Sequence, residues 1–437
     1  MTDLETRAVP ARAGALRRAA PALLGYAAVR ALGLLALFVW SAARDKSAYT
    51  LLTARWDALW YVRVAELGYG YEVRLANGDV HSNLAFFPLL PWLERLVAAV
   101  SPLSYADGGF LVALLASVAA AWGIFAVADH LYGRRAGVCA VLLWAVLPVG
   151  IVQSMAYSES LFTALAAWSL YAVLTGRWVT AGALALAAGL TRPVGTAVAA
   201  AVWAAAIASF LAQRRAAGAE HNGHATAAER GRRANTVERE RSANTVEQDG
   251  RTTAVVEGSG SEALGVPGPA APRARRVLGM LLAPLGTAGY VLWVGHRTGE
   301  GPLGYLYVQA GWRNGFDGGY AFARFVAGKF TSFPSALAGA GLLLGVVSVV
   351  WLYAVGVRQR QPLPLLVYTG VVTALALCAS SYFGSKPRLL MPAFPLLLPL
   401  ALALARQRTR RSAWVLGVAA VVCAGYGAFW LNGSGPP

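Results

Sequence analysis

Long apolar runs separated by short polar clusters make up most of the chain. A helix needs about 20 apolar residues to cross a bilayer core of roughly 30 Å. Eleven segments meet or approach that length: 20–42, 108–130, 137–153, 158–175, 178–191, 194–211, 276–295, 334–356, 363–381, 388–405 and 412–431. Charges, Gly or Pro set their ends. A twelfth stretch, 84–101, carries Phe86-Phe87-Pro88-Leu89-Leu90-Pro91-Trp92 and then at once Glu94 and Arg95. Two prolines and an ion pair suit a helix lying along the interface better than one crossing the bilayer.

Basic clusters arbitrate the count, because short cytoplasmic loops collect Lys and Arg. The clusters are Arg7, Arg12, Arg17 and Arg18; Arg134 and Arg135; Arg177; Arg214 and Arg215; the group at 273–276; Arg358 and Arg360; and the group at 406–411. If 84–101 is interfacial, all seven clusters face one side, the cytoplasm. If it spans, every cluster after the first is turned outward. The first apolar run starts near Leu23 and continues to about Trp40 without a small-residue cleavage site, so it reads as a retained span and not a signal peptide. The predicted topology has a cytoplasmic N-terminus in a multi-pass protein of the cell (plasma) membrane. Its external segments are 43–107, a turn near 153–158, the turn at 191–193, 296–333 and 380–387.

Composition agrees with a membrane protein, at 57% hydrophobic and 14% charged residues with a mean hydropathy of +0.51. No soluble domain of this length is so apolar. The fold class is therefore all-α and polytopic, with about eleven transmembrane helices plus one interfacial helix in the first external loop. Residues 1–211 form an N-terminal membrane module with external loop 43–107, and 276–437 a C-terminal module with external loop 296–333. Between them, 212–275 is rich in Ala, Gly, Arg, Glu, Thr and Ser and repeats Ala-Asn-Thr-Val-Glu at Ala234–Glu238 and Ala243–Glu247. So few large apolar side chains cannot offset ordering entropy, and the segment reads as a disordered cytoplasmic insert with solvated His221 and His224. The net charge of +17 then reflects cytoplasmic arginines and contact with anionic lipid, not nucleic-acid binding. Cys139, Cys378 and Cys423 lie apart inside apolar segments and read as packing residues.

Chemistry concentrates on the predicted outer side. Asp57 stands in Arg55-Trp56-Asp57-Ala58-Leu59-Trp60-Tyr61, among rings favoured at headgroup level. It is either a general base at the membrane surface or the exposed acid of an anchor helix. Glu159, after Ser158, begins a span where an acidic side chain also suits a helix N-terminus, so a second active-site acid and a helix-start carboxylate both remain open. Arg192 interrupts an apolar run, where an unpartnered guanidinium costs several kcal/mol; a carboxylate or a phosphate headgroup would serve as partner. Lys386 and Arg388 flank Pro387 on the side that the charge rule disfavours, as snorkelling cations or as a phosphate clamp. His81, His296 and Glu66 are external single residues. No strong metal-ligand spacing, P-loop or dinucleotide fingerprint is present, so ATP and NAD are not expected.

Taken together, Arg55–Tyr61 with Gly68-Tyr69, Phe86–Pro91, Tyr157–Phe162, Thr191-Arg192-Pro193-Val194-Gly195 and Pro387-Arg388 resemble, in order and spacing, the PIG-V-like mannosyltransferases. These are integral-membrane glycosyltransferases of the GT-C class, whose eukaryotic namesake adds the second mannose to the glycosylphosphatidylinositol anchor. The resemblance covers most of the membrane part and leaves out the insert. It implies inverting transfer of a mannosyl group from a polyprenyl-phosphate donor, with Asp57 as the catalytic carboxylate and Glu159 where such enzymes often place a second acid. It also implies a lipid-phosphate contact from Arg192 and Arg388, with Lys386, Trp56, Trp60 and Tyr61 as further substrate-binding candidates.

A composition rich in Ala, Gly and Arg and poor in Lys looks like that of a high-GC actinobacterial protein, where that anchor is not an expected acceptor. The acceptor is left as an extracytoplasmic lipid or glycan. No cofactor is obligatory, and a divalent cation bridging Asp57 and phosphate stays open. The rival readings are a transporter or lipid flippase, which usually keeps its charges at the midplane between internal repeats, and a non-catalytic scaffold.

Overall fold

The computed structural model describes residues 12–215 and 273–433, so the predicted insert lies almost wholly outside the described residues. The described residues 12–204 and 274–433 belong to one compact unit; 205–215 and Arg273 belong to a second. The protein is an all-α polytopic membrane protein with almost no sheet.

In chain order the first half comprises α1 (Arg12–Ala42), α2 (Ala48–Thr53), α3 (Asp57–Leu67), the hairpin β1 (Glu72–Arg74) and β2 (Val80–Ser82), α4 (Leu89–Val100), α5 (Tyr105–Tyr132), α6 (Arg134–Ala145), α7 (Ser158–Leu174), α8 (Trp178–Gly189) and α9 (Gly195–Arg215). After the undescribed segment come α10 (Arg273–Leu282), α11 (Leu285–Thr298), α12 (Gly304–Gly311), β3 (Gly315–Phe316), α13 (Tyr320–Lys329), α14 (Ser335–Arg358), α15 (Leu363–Cys378), β4 (Ala379–Ser380), α16 (Lys386–Leu390), α17 (Leu398–Arg406) and α18 (Thr409–Leu431). Antiparallel β3–β4 pairing ties the 296–333 loop to the 380–387 loop.

Each of the eleven predicted spans overlaps a helix, but fewer are long enough to be a straight crossing. Among the described residues six helices are long and apolar enough to cross a membrane, or seven if Phe383–Leu390 and Phe394–Arg406, bent by 75°, count as one broken span. Three more apolar helices, α7, α8 and α15, are shorter. The run predicted as a span at 137–153 instead ends its helix at Ala145 and continues as a 3-10 turn over Gly150–Ser154. Pro148 accounts for this, since it disfavours helix in the residue before it and cannot donate to the ladder. The 75° bend has the same cause in Pro387, Pro392 and Pro395.

Opening backbone inside a membrane protein requires internal partners for the freed carbonyls. Arg30 of α1 supplies them: its guanidinium, 9% exposed, donates to the carbonyls of Ala145 and Gly150. Gln153 Nε2 donates to the Trp144 carbonyl at 2.7 Å, and Trp144 Nε1 to Met391 at 3.2 Å. The irregular strap from Val146 to Tyr157 is thus pinned on both sides, and it delivers Ser158 and Glu159 to the start of α7. Elsewhere small residues permit close approach: a Cβ on Gly182 would collide with the Gly279 backbone, so α8 and α10 cross almost backbone to backbone.

The stretch predicted as interfacial contains α4, only 12 residues long. It buries Leu90 and Glu94 while exposing Trp92, Leu96 and Val100. Glu94 is wholly buried against α5, and neither carboxylate oxygen has a hydrogen-bond partner. Burial alone pushes its carboxyl well above the usual range.

Candidate active site

The residues that set the site begin with an unfavourable backbone. Trp56, just before α3, has φ 53° and ψ −125°, a conformation that costs a non-glycine residue about 1–3 kcal/mol. The Arg55 guanidinium lies 4.3 Å over its ring, and the strained turn makes Asp57 the first residue of the helix. The Trp60 and Tyr61 side chains then follow one turn later, on the same side as Asp57.

Asp57 Oδ2 accepts a 2.7 Å hydrogen bond from Arg388 Nη1 across 331 residues of sequence. Arg388 Nε lies 3.3 Å from Glu159 Oε1, and Glu159 in turn contacts Arg192. The result is an alternating chain, Asp57–Arg388–Glu159–Arg192, drawn from four separate segments. The contacts at Glu159 are charge contacts without hydrogen-bond alignment, whereas the Asp57–Arg388 pair is aligned. Two carboxylates balance two guanidiniums, as burial of charge demands.

Exposure separates the two acids. The Asp57 side chain is 27% exposed and that of Glu159 1%. A substrate can reach Asp57, while Glu159 is enclosed and holds both arginines. Arg192 sits in the turn between α8 and α9, where the Leu89 amide donates to the Leu190 carbonyl at 3.0 Å and fixes that turn to the head of α4. Arg388 also lies 5.1 Å from the Tyr157 ring, a contact that neither single residue announces in sequence.

An aromatic wall adjoins the chain of charges. Trp60 stacks on Phe86 at 5.7 Å and meets Trp312 edge-on at 4.8 Å; Trp312 stacks on His81 at 4.1 Å. Tyr61 packs edge-on against Phe86, and its hydroxyl is 2.7 Å from Ser158 Oγ. Burial pushes the Tyr61 phenol up, so it stays a neutral hydrogen-bonding group. Trp56, Trp60 and Tyr61 are thus all beside Asp57, and Trp312 joins them unforeseen. Its only sequence signal is a lone Trp in the predicted outer loop.

Lys386 is placed apart from these residues. It is 3% exposed, and Nζ donates to the carbonyls of Ala376 and Ala379 at 2.8 Å and of Leu377 at 3.3 Å, with the Phe322 ring 4.6 Å away. Its three donors therefore close the C-terminal end of α15. His296 and Glu66 take no part in the charge chain. Among the described residues no group of three or more His, Cys, Asp or Glu side chains could hold a metal ion.

Over 155 residues the chain is 34% identical to GPI alpha-1,6-mannosyltransferase 2 of Mus musculus, covering 31% of this chain and 28% of that protein. The Rattus norvegicus protein of the same name is 35% identical over 153 residues, with the same coverage. The match thus spans under a third of the length of these relatives. No family model matches the chain, and no solved structure does.

Proposed function

We propose that the protein is a multi-pass membrane mannosyltransferase that moves a mannosyl group from a polyprenyl-phosphate donor to a lipid or glycan acceptor, with inversion. The observation that carries the reading is Asp57: a partly open carboxylate, oriented by Arg388 beside an aromatic wall, in a chain whose relatives bear a mannosyltransferase name.

In the proposed step Asp57 Oδ takes the proton from the acceptor hydroxyl as that oxygen attacks the anomeric carbon. The bond from that carbon to the phosphate oxygen breaks on the opposite face, and its electron pair leaves on the phosphate. Asp57 ends protonated and the anomeric configuration is inverted. Arg388 holds the base in line through its 2.7 Å hydrogen bond, and the buried Glu159 anchors Arg388 and Arg192 from the other side. A lipid monophosphate leaves without a nucleotide or an obligatory metal once a cation meets its charge. We place the protein in the plasma membrane with this site on the extracytoplasmic side, which the clustering of basic residues at the opposite span ends supports.

Membranes containing the wild type are expected to transfer radiolabelled mannose from polyprenyl-phosphate mannose into an acceptor extract, with EDTA in a parallel reaction. Labelling in both supports a metal-independent transferase. Loss with EDTA adds a divalent cation, and no labelling over a broad extract rejects the reaction in favour of a transporter.

A further inference from the structure

The cations around the proposed reaction centre are already matched. Arg388 and Arg192 face Asp57 and Glu159, and Lys386 spends its donors on backbone carbonyls. A phosphate arriving there would have to break ion pairs that are 1–27% exposed. Next to the aromatic wall, however, lies a cavity of about 1110 Å³, walled by the β1–β2 hairpin, Trp312, α13, the start of α14 and Ser380–Gly384. It slightly exceeds the usual range for ligand pockets, about 300–1,000 Å³, which leaves room for a headgroup and part of a chain.

Its walls differ in kind. One side is Ala338, Gly341 and Leu342 of α14, a helix with only 6% of its apolar window buried, whose Leu337, Leu343 and Leu344 are exposed. That side is continuous with a lipid-facing surface. The opposite side is His81 and Trp312, stacked on each other, and Trp312 touches Trp60, one turn along α3 from Asp57. Lys329 also lines the cavity, its ammonium 4.7 Å over the Phe325 ring and without a carboxylate partner among the described residues. A second cavity of about 500 Å³ shares Phe325, Lys329 and Phe383 with the first and adds Arg324, which also has no carboxylate partner among the described residues. Arg313, by contrast, is held by Asp79 at 2.6 Å.

We propose that this chamber binds the lipid phosphate-linked sugar, with its chain along the exposed face of α14, its phosphate at Lys329 and Arg324, and its sugar against Trp312 and His81. The proposal rests on the transferase reading for the identity of the sugar. The chamber itself combines apolar, cationic and aromatic wall residues, and Trp312 links it to Trp60 beside Asp57. A pyranose offers an apolar face to a ring, a phosphate takes charge-assisted hydrogen bonds, and a polyprenyl chain follows the lipid-facing helix. Arg192 and Arg388 then organise the base and leave the phosphate to α13.

Two measurements on the full chain in detergent test this. The first is photolabelling with a diazirine-bearing polyprenyl phosphate, mapped by peptide mass spectrometry. Label is expected within 320–342 and 380–384, displaced by excess decaprenyl phosphate and not by phosphatidylglycerol. Label confined to other segments overturns the chamber, and equal displacement by phosphatidylglycerol reduces it to a general lipid contact and overturns donor binding there. The second is Lys329→Gln, expected to raise the donor KM about tenfold with kcat little changed, and Lys329→Arg, expected to restore it. An unchanged KM in Lys329→Gln overturns the phosphate contact. A wild type that is labelled in the chamber yet transfers no mannose removes the reaction and keeps the chamber. Transfer with label elsewhere does the reverse.

Discussion

Replacing Glu159 with glutamine removes the charge that two guanidiniums share. Its side chain is 1% exposed, against 9% for Arg388 and 14% for Arg192. Removing one partner of a buried ion pair costs about 3–5 kcal/mol, because an unmatched charge stays behind. In Glu159→Gln, Arg388 keeps Asp57 and Arg192 keeps some solvent, which puts the expected loss near the low end, about 3 kcal/mol. Asp57→Asn is milder: Asp57 is 27% exposed and Arg388 still faces Glu159, so one charge-assisted hydrogen bond is weakened at a cost of about 1 kcal/mol. Adding Arg192→Met to Glu159→Gln removes the stranded cation and should recover part of the loss, a coupling of about 1–2 kcal/mol. Reversible unfolding in mixed micelles, followed by tryptophan fluorescence, measures all five proteins: wild type, the three single variants including Arg192→Met, and the double variant. Equal stability of Glu159→Gln and Asp57→Asn, or a double variant no better than additive, would refute the view of Glu159 as the buried hub.

Glu94→Gln is expected to be at least as stable as the wild type at pH 7. Its folded carboxyl is raised by burial, so the native state binds the extra proton; the wild type should match the variant below about pH 4 and fall behind as pH rises above the unfolded value, and a gap that widens toward acid contradicts this. Arg30→Met leaves the Ala145 and Gly150 carbonyls without their donor and should cost about 2–4 kcal/mol, with faster proteolysis of the 146–157 strap; unchanged stability and protection would show the strap is held otherwise. Trp312→Ala opens the wall between the hairpin and α3 and should raise the donor KM more than it lowers kcat, whereas a pure kcat effect would place Trp312 at the reacting atoms instead.

Much of the membrane architecture was legible because hydrocarbon thickness imposes a length on every apolar run. What length alone missed were the interruptions. Pro148 stands in plain view inside 137–153, yet a hydropathy window passes over it, and only the Arg30 partnership shows why the helix can stop there without exposing carbonyls. A cation inside an apolar run flagged Arg192, aromatic neighbours on an outer loop flagged Asp57, a helix-start position flagged Glu159, and a place on the side that the charge rule disfavours flagged Arg388. Their pairing was not readable, since Asp57 and Arg388 are 331 residues apart and either arginine could have taken either acid. Lys386 shows the converse: its place beside Arg388 in sequence says nothing of direction, and one residue turns toward carbonyls while its near neighbour turns toward carboxylates. Trp312 was invisible for want of any local pattern, as its partners lie in the hairpin and α3.

The role of Asp57 is tested most directly by single-turnover mannose transfer with wild type and Asp57→Asn, each first shown to be folded and to bind donor. The expected result is a fall of about 10²–10⁴ in the transfer rate at nearly unchanged donor affinity, as for loss of a general base. Turnover by Asp57→Asn within about threefold of wild type would contradict that role and leave Asp57 as a partner of Arg388 alone.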